Sequence, residues 1–218
     1  MSQTAAINHA LVAVVWAVVG FGGGWLVRWG SVKLAKLEEL ESGYKLWQVW
    51  GPPIASALVF AGFAYEVGAS LLLLEYSVFG LVLVQVIFFD FEHRLILDRV
   101  IFPSMALALA ISVIRGWPDQ WWYGLATGVA VGIVFVLLSL LGAAIFKAEA
   151  LGFGDVKFAV FMGFLLGPLG TINGLFYGVL LAGVFAIGLI IWRRSLKGTL
   201  AYGPFLALGT LIVLFQMR

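Results

Sequence analysis

Ser70 to Phe89 reads SLLLLEYSVFGLVLVQVIFF, and Asp90 follows it directly. At about 1.5 Å per helical residue, this run is long enough to cross a hydrocarbon core of about 30 Å. It carries one acid, Glu75 in its outer part, and no basic residue. The run therefore reads as a membrane-spanning helix with a carboxylate at its end. Further apolar stretches are expected to be spans at Ala10–Val27, Pro52–Val67, Val100–Ile114, Tyr123–Phe146, Val156–Leu166, Thr171–Trp192 and Thr199–Phe215. Taking Pro52–Leu74 as one span would leave Glu75–Phe89 as the only run before Asp90, too short to cross comfortably, so a break after Val67 is preferred. The expected fold is an all-α polytopic membrane protein of roughly eight transmembrane helices.

Composition supports that class. Hydrophobic residues make up 63% and charged residues 11%, against about 45–50% and about 25% in soluble domains. A core of ordinary size cannot hide so much apolar surface, so lipid must act as solvent. The 218 residues are expected to form one membrane-embedded domain, 1–218, with a short cytoplasmic connector at 30–51. The net charge of +2 reflects few charges and their topology and gives no reason to expect nucleic acid. With no cysteine, disulfides, thiol catalysis and Cys-based zinc sites are excluded. His9 and His93 lie near opposite faces, so no metal site is expected. No basic residue precedes the first apolar run, which reads as a retained span and not a cleaved signal peptide.

Lys and Arg set the orientation. With the N-terminus outside, Arg28, Lys33, Lys36, Lys45, Arg94, Arg99, Lys147, Lys157, Arg193, Arg194 and Lys197 fall in the cytoplasm, and only Arg115 and Arg218 of the 13 cations fall outside. This positive-inside bias puts Asp90 at the cytoplasmic end of the third span and Asp155 at the cytoplasmic start of the sixth. Between Gly30 and Gly51, Val32, Leu34, Leu37 and Leu40 alternate with charges; the spacing suits either a short interfacial helix or a plain connector. Trp117, Trp121 and Trp122 read as an interfacial aromatic belt. Gly170, Gly174 and Gly178 recur every four residues, a smooth stripe for helix packing.

The chemistry rests on the two aspartates. Ionisable groups at the edge of hydrocarbon are costly and point by default to a functional site. Asp155, in Gly152-Phe153-Gly154-Asp155, opens a helix, where free N–H groups suit a carboxylate; Asp90 closes one, where they do not. Brought close, two such acids share one proton, and that is what an aspartic peptidase needs: one carboxylate activates water while its protonated partner polarises the peptide carbonyl. Gly152 and Gly154 allow a sharp bend and close approach of backbone to a neighbouring helix or an extended substrate. Taken singly, each acid also reads as a solvated boundary residue. Glu92, His93, Arg94 and Asp98 read as a solvated turn with local ion pairs, and Lys157 as a cation reaching for the interface.

Asp90-Phe91-Glu92-His93-Arg94-Leu95-Ile96-Leu97-Asp98-Arg99 resembles the first aspartate motif of the type IV prepilin leader peptidases. Gly152-Phe153-Gly154-Asp155-Val156-Lys157 resembles their second, the GxGD signature shared with presenilin-like intramembrane proteases, and Tyr202-Gly203-Pro204-Phe205-Leu206-Ala207-Leu208-Gly209 resembles their final-helix motif. The resemblance covers most of the chain from Pro52 onward. It implies an integral protein of the plasma membrane that removes the basic leader of type IV prepilins or pseudopilins at the cytoplasmic face, just after a glycine, as in pilus assembly and type II secretion. Asp90 and Asp155 would be the catalytic pair, Glu92 and Asp98 supporting acids, and Gly203 and Pro204 would shape the substrate groove; no cofactor is implied for hydrolysis.

This chain departs from the family pattern at several positions. Leu97 stands where proline is frequent, no Cys pairs follow the first span, Gly22-Gly23-Gly24-Trp25 replaces an Asn-bearing motif, and Ser56 stands where an acid is usual. All lie on the side the resemblance associates with N-methylation of the new pilin terminus. Peptidase activity without methylation is therefore expected, and S-adenosylmethionine is implied only if methylation occurs. Two rivals remain at the level of sequence: a small ion- or proton-coupled transporter using the same acids, and a GxGD protease acting on other transmembrane substrates. The transporter fits less well, since no half-to-half repeat is visible and both acids sit at one face, not the midplane.

Overall fold

The computed structural model describes residues 3–116, 118–146, 152–193 and 201–217. Among them every regular element is an α-helix, in the order α1 (Gln3–Leu37), α2 (Leu46–Val67), α3 (Leu71–His93), α4 (Asp98–Gly116), α5 (Tyr123–Phe146), α6 (Phe153–Arg193) and α7 (Gly203–Gln216). Among the described residues, five stretches are long and apolar enough to cross a membrane: Asn8–Leu37, Leu71–His93, Asp98–Gly116, Tyr123–Ile145 and Phe153–Ile191. The chain divides into two compact units, Met1–Arg94 with Leu214–Arg218, and Leu95–Val213.

In the first unit α1, α2 and α3 pack together. The connector is shorter than the sequence suggests. No separate interfacial helix forms between 30 and 51, because Lys33, Ala35, Lys36 and Leu37 are good helix formers and α1 runs on through them. It stops at Glu38–Glu39, where Glu39 turns left-handed (φ 57°), and the irregular segment shrinks to 38–45. The second helix also starts before Pro52, at Leu46, with the Lys45 N–H donating to Gln48 Oε1 at 2.9 Å.

Gly20 and Gly24, one turn apart on α1, let α2 approach closely. A β-carbon on Gly20 would lie 2.7 Å from Phe60 Cβ, and one on Gly24 2.7 Å from Pro53 N. Such small-residue spacing is how helices reach close contact in lipid. Gly68, with φ 62° and ψ −164°, ends α2 and donates its N–H to Ala64 O, in a backbone region that glycine adopts without Cβ strain. Ser70 Oγ then caps α3 by accepting from the Leu73 N–H at 3.2 Å. The break after Val67 is therefore where the sequence places it, and Glu75 belongs to α3. The buried rings of Phe63 and Tyr76 (centroids 5.3 Å apart), with Phe215 4.4 Å from Phe63, pack in this unit.

In the second unit α5 crosses α6 at a pair of glycines. A β-carbon on Gly163 would lie 2.6 Å from the Gly128 backbone nitrogen and 3.0 Å from the Thr127 carbonyl carbon. Further along, α6 is interrupted at Gly167 (φ 65°, ψ −171°), with Pro168 next. Thr171 Oγ1 donates to Met162 O at 3.2 Å across the break, and the Cβ position of Gly174 lies 2.9 Å from Met162 Cε. Residues 162 and 174 would be about 18 Å apart in a straight helix, so the two arms of α6 fold back on one another. The break falls in the gap expected between Leu166 and Thr171. On the second arm, Gly174 and Gly178 receive α7: a β-carbon on Gly178 would lie 3.1 Å from Leu206 Cα, and one on Gly209 2.7 Å from Gly178 N. The glycine stripe serves helix packing, as its spacing suggests.

Candidate active site

Helix α3 carries Asp90 in its last turn. The helix extends four residues beyond the expected end at Phe89, finishing at His93, with Arg94 as a left-handed cap (φ 54°) whose N–H donates to Asp90 O at 2.9 Å. Asp90 is buried, 5% exposed.

The solvated turn expected at Glu92 and His93 is not what forms. Both are helical, and their side chains are only 8% and 7% exposed. Glu92 Oε2 accepts from Arg28 Nη1 on α1 at 3.2 Å, while Glu92 Oε1 accepts from the Gly43 N–H at 2.6 Å. Arg28 Nη2 in turn donates to Gly43 O. The Arg28 side chain is 7% exposed. The reason is periodicity: continuing α3 by one turn rotates Glu92 to the α1 side, where Arg28 is waiting. His93 Nε2 lies 3.7 Å from Glu92 Oε1, and its ring sits 4.5 Å from that of Phe89.

Sequence reasoning missed Arg28 as a partner and counted it only as a cytoplasmic cation. The available signal was an arginine standing alone in the apolar run Trp25-Leu26-Val27-Arg28-Trp29, since an ion inside a span must be paired. A turn further on, Ser31 Oγ donates to Gln85 Oε1 at 2.8 Å in a buried contact, so α1 and α3 share a polar seam.

The second unit holds the other expected residues. Asp155 lies in the first turn of α6, its N–H donating to Gly152 O at 3.0 Å. Gly154 is tightly packed: a β-carbon there would sit 3.2 Å from Ile96 Cβ. Gly152 is exposed and, among the described residues, meets only Asp155 Oδ2, 3.6 Å from its Cβ position. Of the two glycines, Gly154 is thus the one required for close approach. Asp98 opens α4 and pairs with Lys157, Nζ to Oδ1 2.5 Å. Lys157 also lies over the rings of Phe102 and Phe153, 5.3 and 5.1 Å from their centroids. It is therefore a tie between α4 and α6, not a cation extended alone to the interface. Gly203 and Pro204 are buried and open α7, where proline needs no intrahelical donor.

The model of the type IV leader peptidase family matches residues 77–187, a stretch that contains both Asp90 and Asp155. The chain belongs to the type IV leader peptidase family. It is also 28% identical over 163 residues to a prepilin leader peptidase/N-methyltransferase of Bacillus subtilis (strain 168), covering 73% of this chain. The chain spans 62% of the length of that relative. No solved structure matches. The family match includes Glu92, Asp98, Gly152 and Gly154, whereas Arg28, Gly203 and Pro204 lie outside it.

Proposed function

We propose that this protein is a membrane aspartic endopeptidase that removes the leader of type IV prepilins or pilin-like precursors at the cytoplasmic face. The observation that carries the reading is the family match, which spans two aspartates set at the last turn of one helix and the first turn of another. Asp90 and Asp155 act as a pair. One carboxylate takes a proton from water, and the resulting hydroxide attacks the scissile carbonyl while the protonated partner donates to the carbonyl oxygen; the proton then passes to the leaving amine. Gly203 and Pro204 shape the groove for the substrate, which is unwound near the glycine that precedes the cut.

Methylation of the product is not part of the proposed activity. Gly24, which lies within the replaced Asn-bearing motif, is packed against Pro52 and Pro53, and Ser56 is fully buried against α1, so both positions are taken up by helix packing. We also place the chain in the plasma membrane with Asp90 and Asp155 towards the cytoplasm, on the strength of its distribution of Lys and Arg.

The test uses detergent-purified protein and a synthetic precursor with a lysine-rich leader, a glycine and an apolar helix. Cleavage after the glycine, lost in both Asp90→Asn and Asp155→Asn, is the expected result. Cleavage retained in either variant removes the paired mechanism, and cleavage without preference for glycine points to other transmembrane substrates. Mass spectrometry of the product reports any added methyl group in the same experiment.

A further inference from the structure

We propose that Arg28 and Glu92 are positioning residues, a buried clamp closed on the peptide group of Gly43 that fixes the depth and rotation of the α3 end bearing Asp90. The inference rests on the catalytic reading of Asp90 and concerns a residue, Arg28, that lies outside the family match.

Three features set this clamp apart from an ordinary surface ion pair. Arg28 and Glu92 are 7% and 8% exposed, so neither charge is satisfied by water. Both carboxylate oxygens of Glu92 are engaged, one by Arg28 and one by the Gly43 N–H, and Arg28 returns to the Gly43 carbonyl. The Gly43 peptide is thus held on both its donor and its acceptor side, and a planar guanidinium fork suits that double task where an ammonium does not. Gly43 is itself constrained, since a β-carbon there would fall 2.6 Å from Gln48 Cδ, and Gln48 caps the start of α2. One pair of side chains therefore ties α1, the 38–45 connector with the start of α2, and the end of α3.

The geometry on α3 says what this does. At 3.6 residues per turn, Glu92 lies about 200° around the helix from Asp90. The clamp grips the helix from the side away from the reactive carboxyl, so it orients Asp90 without competing for its proton or for substrate. Displacement of a reacting group by about 1 Å can cost about 100-fold in rate. Loss of the clamp should therefore lower kcat and leave KM little changed.

The experiment uses the full-length chain in detergent, with kcat and KM for the precursor peptide and thermal unfolding measured on each variant. Arg28→Gln and Glu92→Gln each leave one buried partner unmatched; both should lose stability and about 10- to 100-fold in kcat. Arg28→Lys, which keeps the charge but not the fork, should recover only part of the rate. The deciding variant is Arg28→Met with Glu92→Met, which removes both charges together and so restores stability. Positioning requires its kcat to stay low although it is folded. A return of kcat to within about 3-fold of the parent, or single variants with unchanged kcat, overturns the proposal. Asp90→Asn is run alongside: if it is inactive while the clamp variants work normally, only the clamp fails; if it still cleaves, the catalytic reading fails first.

Discussion

Replacing Gly163 by alanine tests whether the arm of α6 that carries Asp155 is set by direct backbone contact with α5. The added methyl would lie 2.6 Å from the Gly128 nitrogen and 3.0 Å from the Thr127 carbonyl carbon, whereas ordinary contact begins at 3.4 Å. The obstacle is main chain, with the Gly128 Cα nearer still, so no rotamer change relieves it, and the helices must separate by about 1 Å. Overpacking of this kind costs about 1–3 kcal/mol. The substitution also has a favourable component, because alanine is better than glycine inside a helix by roughly 0.5–1 kcal/mol. The net expectation is a loss of about 1–2 kcal/mol for Gly163→Ala and more for Gly163→Val.

Gly183 and Gly188, on the second arm of the same helix, provide the control, since a β-carbon at either meets nothing within 4 Å among the described residues. Gly183→Ala should be neutral or stabilising by up to about 1 kcal/mol. Reversible unfolding of the purified protein in mixed micelles, followed by circular dichroism, measures both. Because Gly163 is about 12 Å along the helix from Asp155, the Gly163 variants should also lose cleavage activity in step with the helix displacement. If Gly163→Ala is as stable as the parent while Gly183→Ala behaves as stated, the tight crossing of α5 and α6 is wrong.

Further outcomes follow from individual contacts. Gly167→Ala places a side chain at φ 65°, ψ −171°, a region essentially reserved for glycine, and should cost at least about 1–3 kcal/mol in the same unfolding assay. Ser56→Ala removes a fully buried hydroxyl whose oxygen has no hydrogen-bond partner among the described residues; it should raise stability by about 1 kcal/mol, and an unchanged midpoint would mean that the hydroxyl is satisfied. Lys157→Met and Asp98→Asn break an ion pair whose Asp98 side is 54% exposed, so each should cost under about 1 kcal/mol. A double-mutant cycle showing coupling well above that value would make this pair as structural as the buried one.

Much of this was legible in the sequence, for reasons that differ by element. The run Ser70–Phe89 has few polar residues and a turn signal before it at Gly68–Ser70, so α3 and its separation from α2 could be read directly. Gly167-Pro168 marks the break in α6 by the same local chemistry, and the spacing of Gly174 and Gly178 marks the face that meets α7. Helix ends were harder. Glu92 and His93 looked like part of a solvated turn because the partners of Glu92, Arg28 and Gly43, are about 50–65 residues away in the chain; a contact of that kind leaves no local periodicity. The same applies to Lys157 and Asp98, which pair across two helices. The continuation of α1 to Leu37 was misread for the opposite reason. Its charges suggested a change of structure, while the backbone simply followed helix propensity.

The reversal at Gly167 bears on how the polypeptide is made. The arm from Phe153 to Leu166 is only about 21 Å long at 1.5 Å per residue, short of a full crossing, and it holds both Asp155 and Lys157. Such a segment is a poor client for the insertion machinery on its own, because it is too short to cross and carries two charges in its opening turns. The strongly apolar limb after Pro168 supplies what it lacks. With no loop between them, the two limbs must leave the translocon as one unit, so the segment bearing Asp155 rides into the lipid as a passenger of its neighbour.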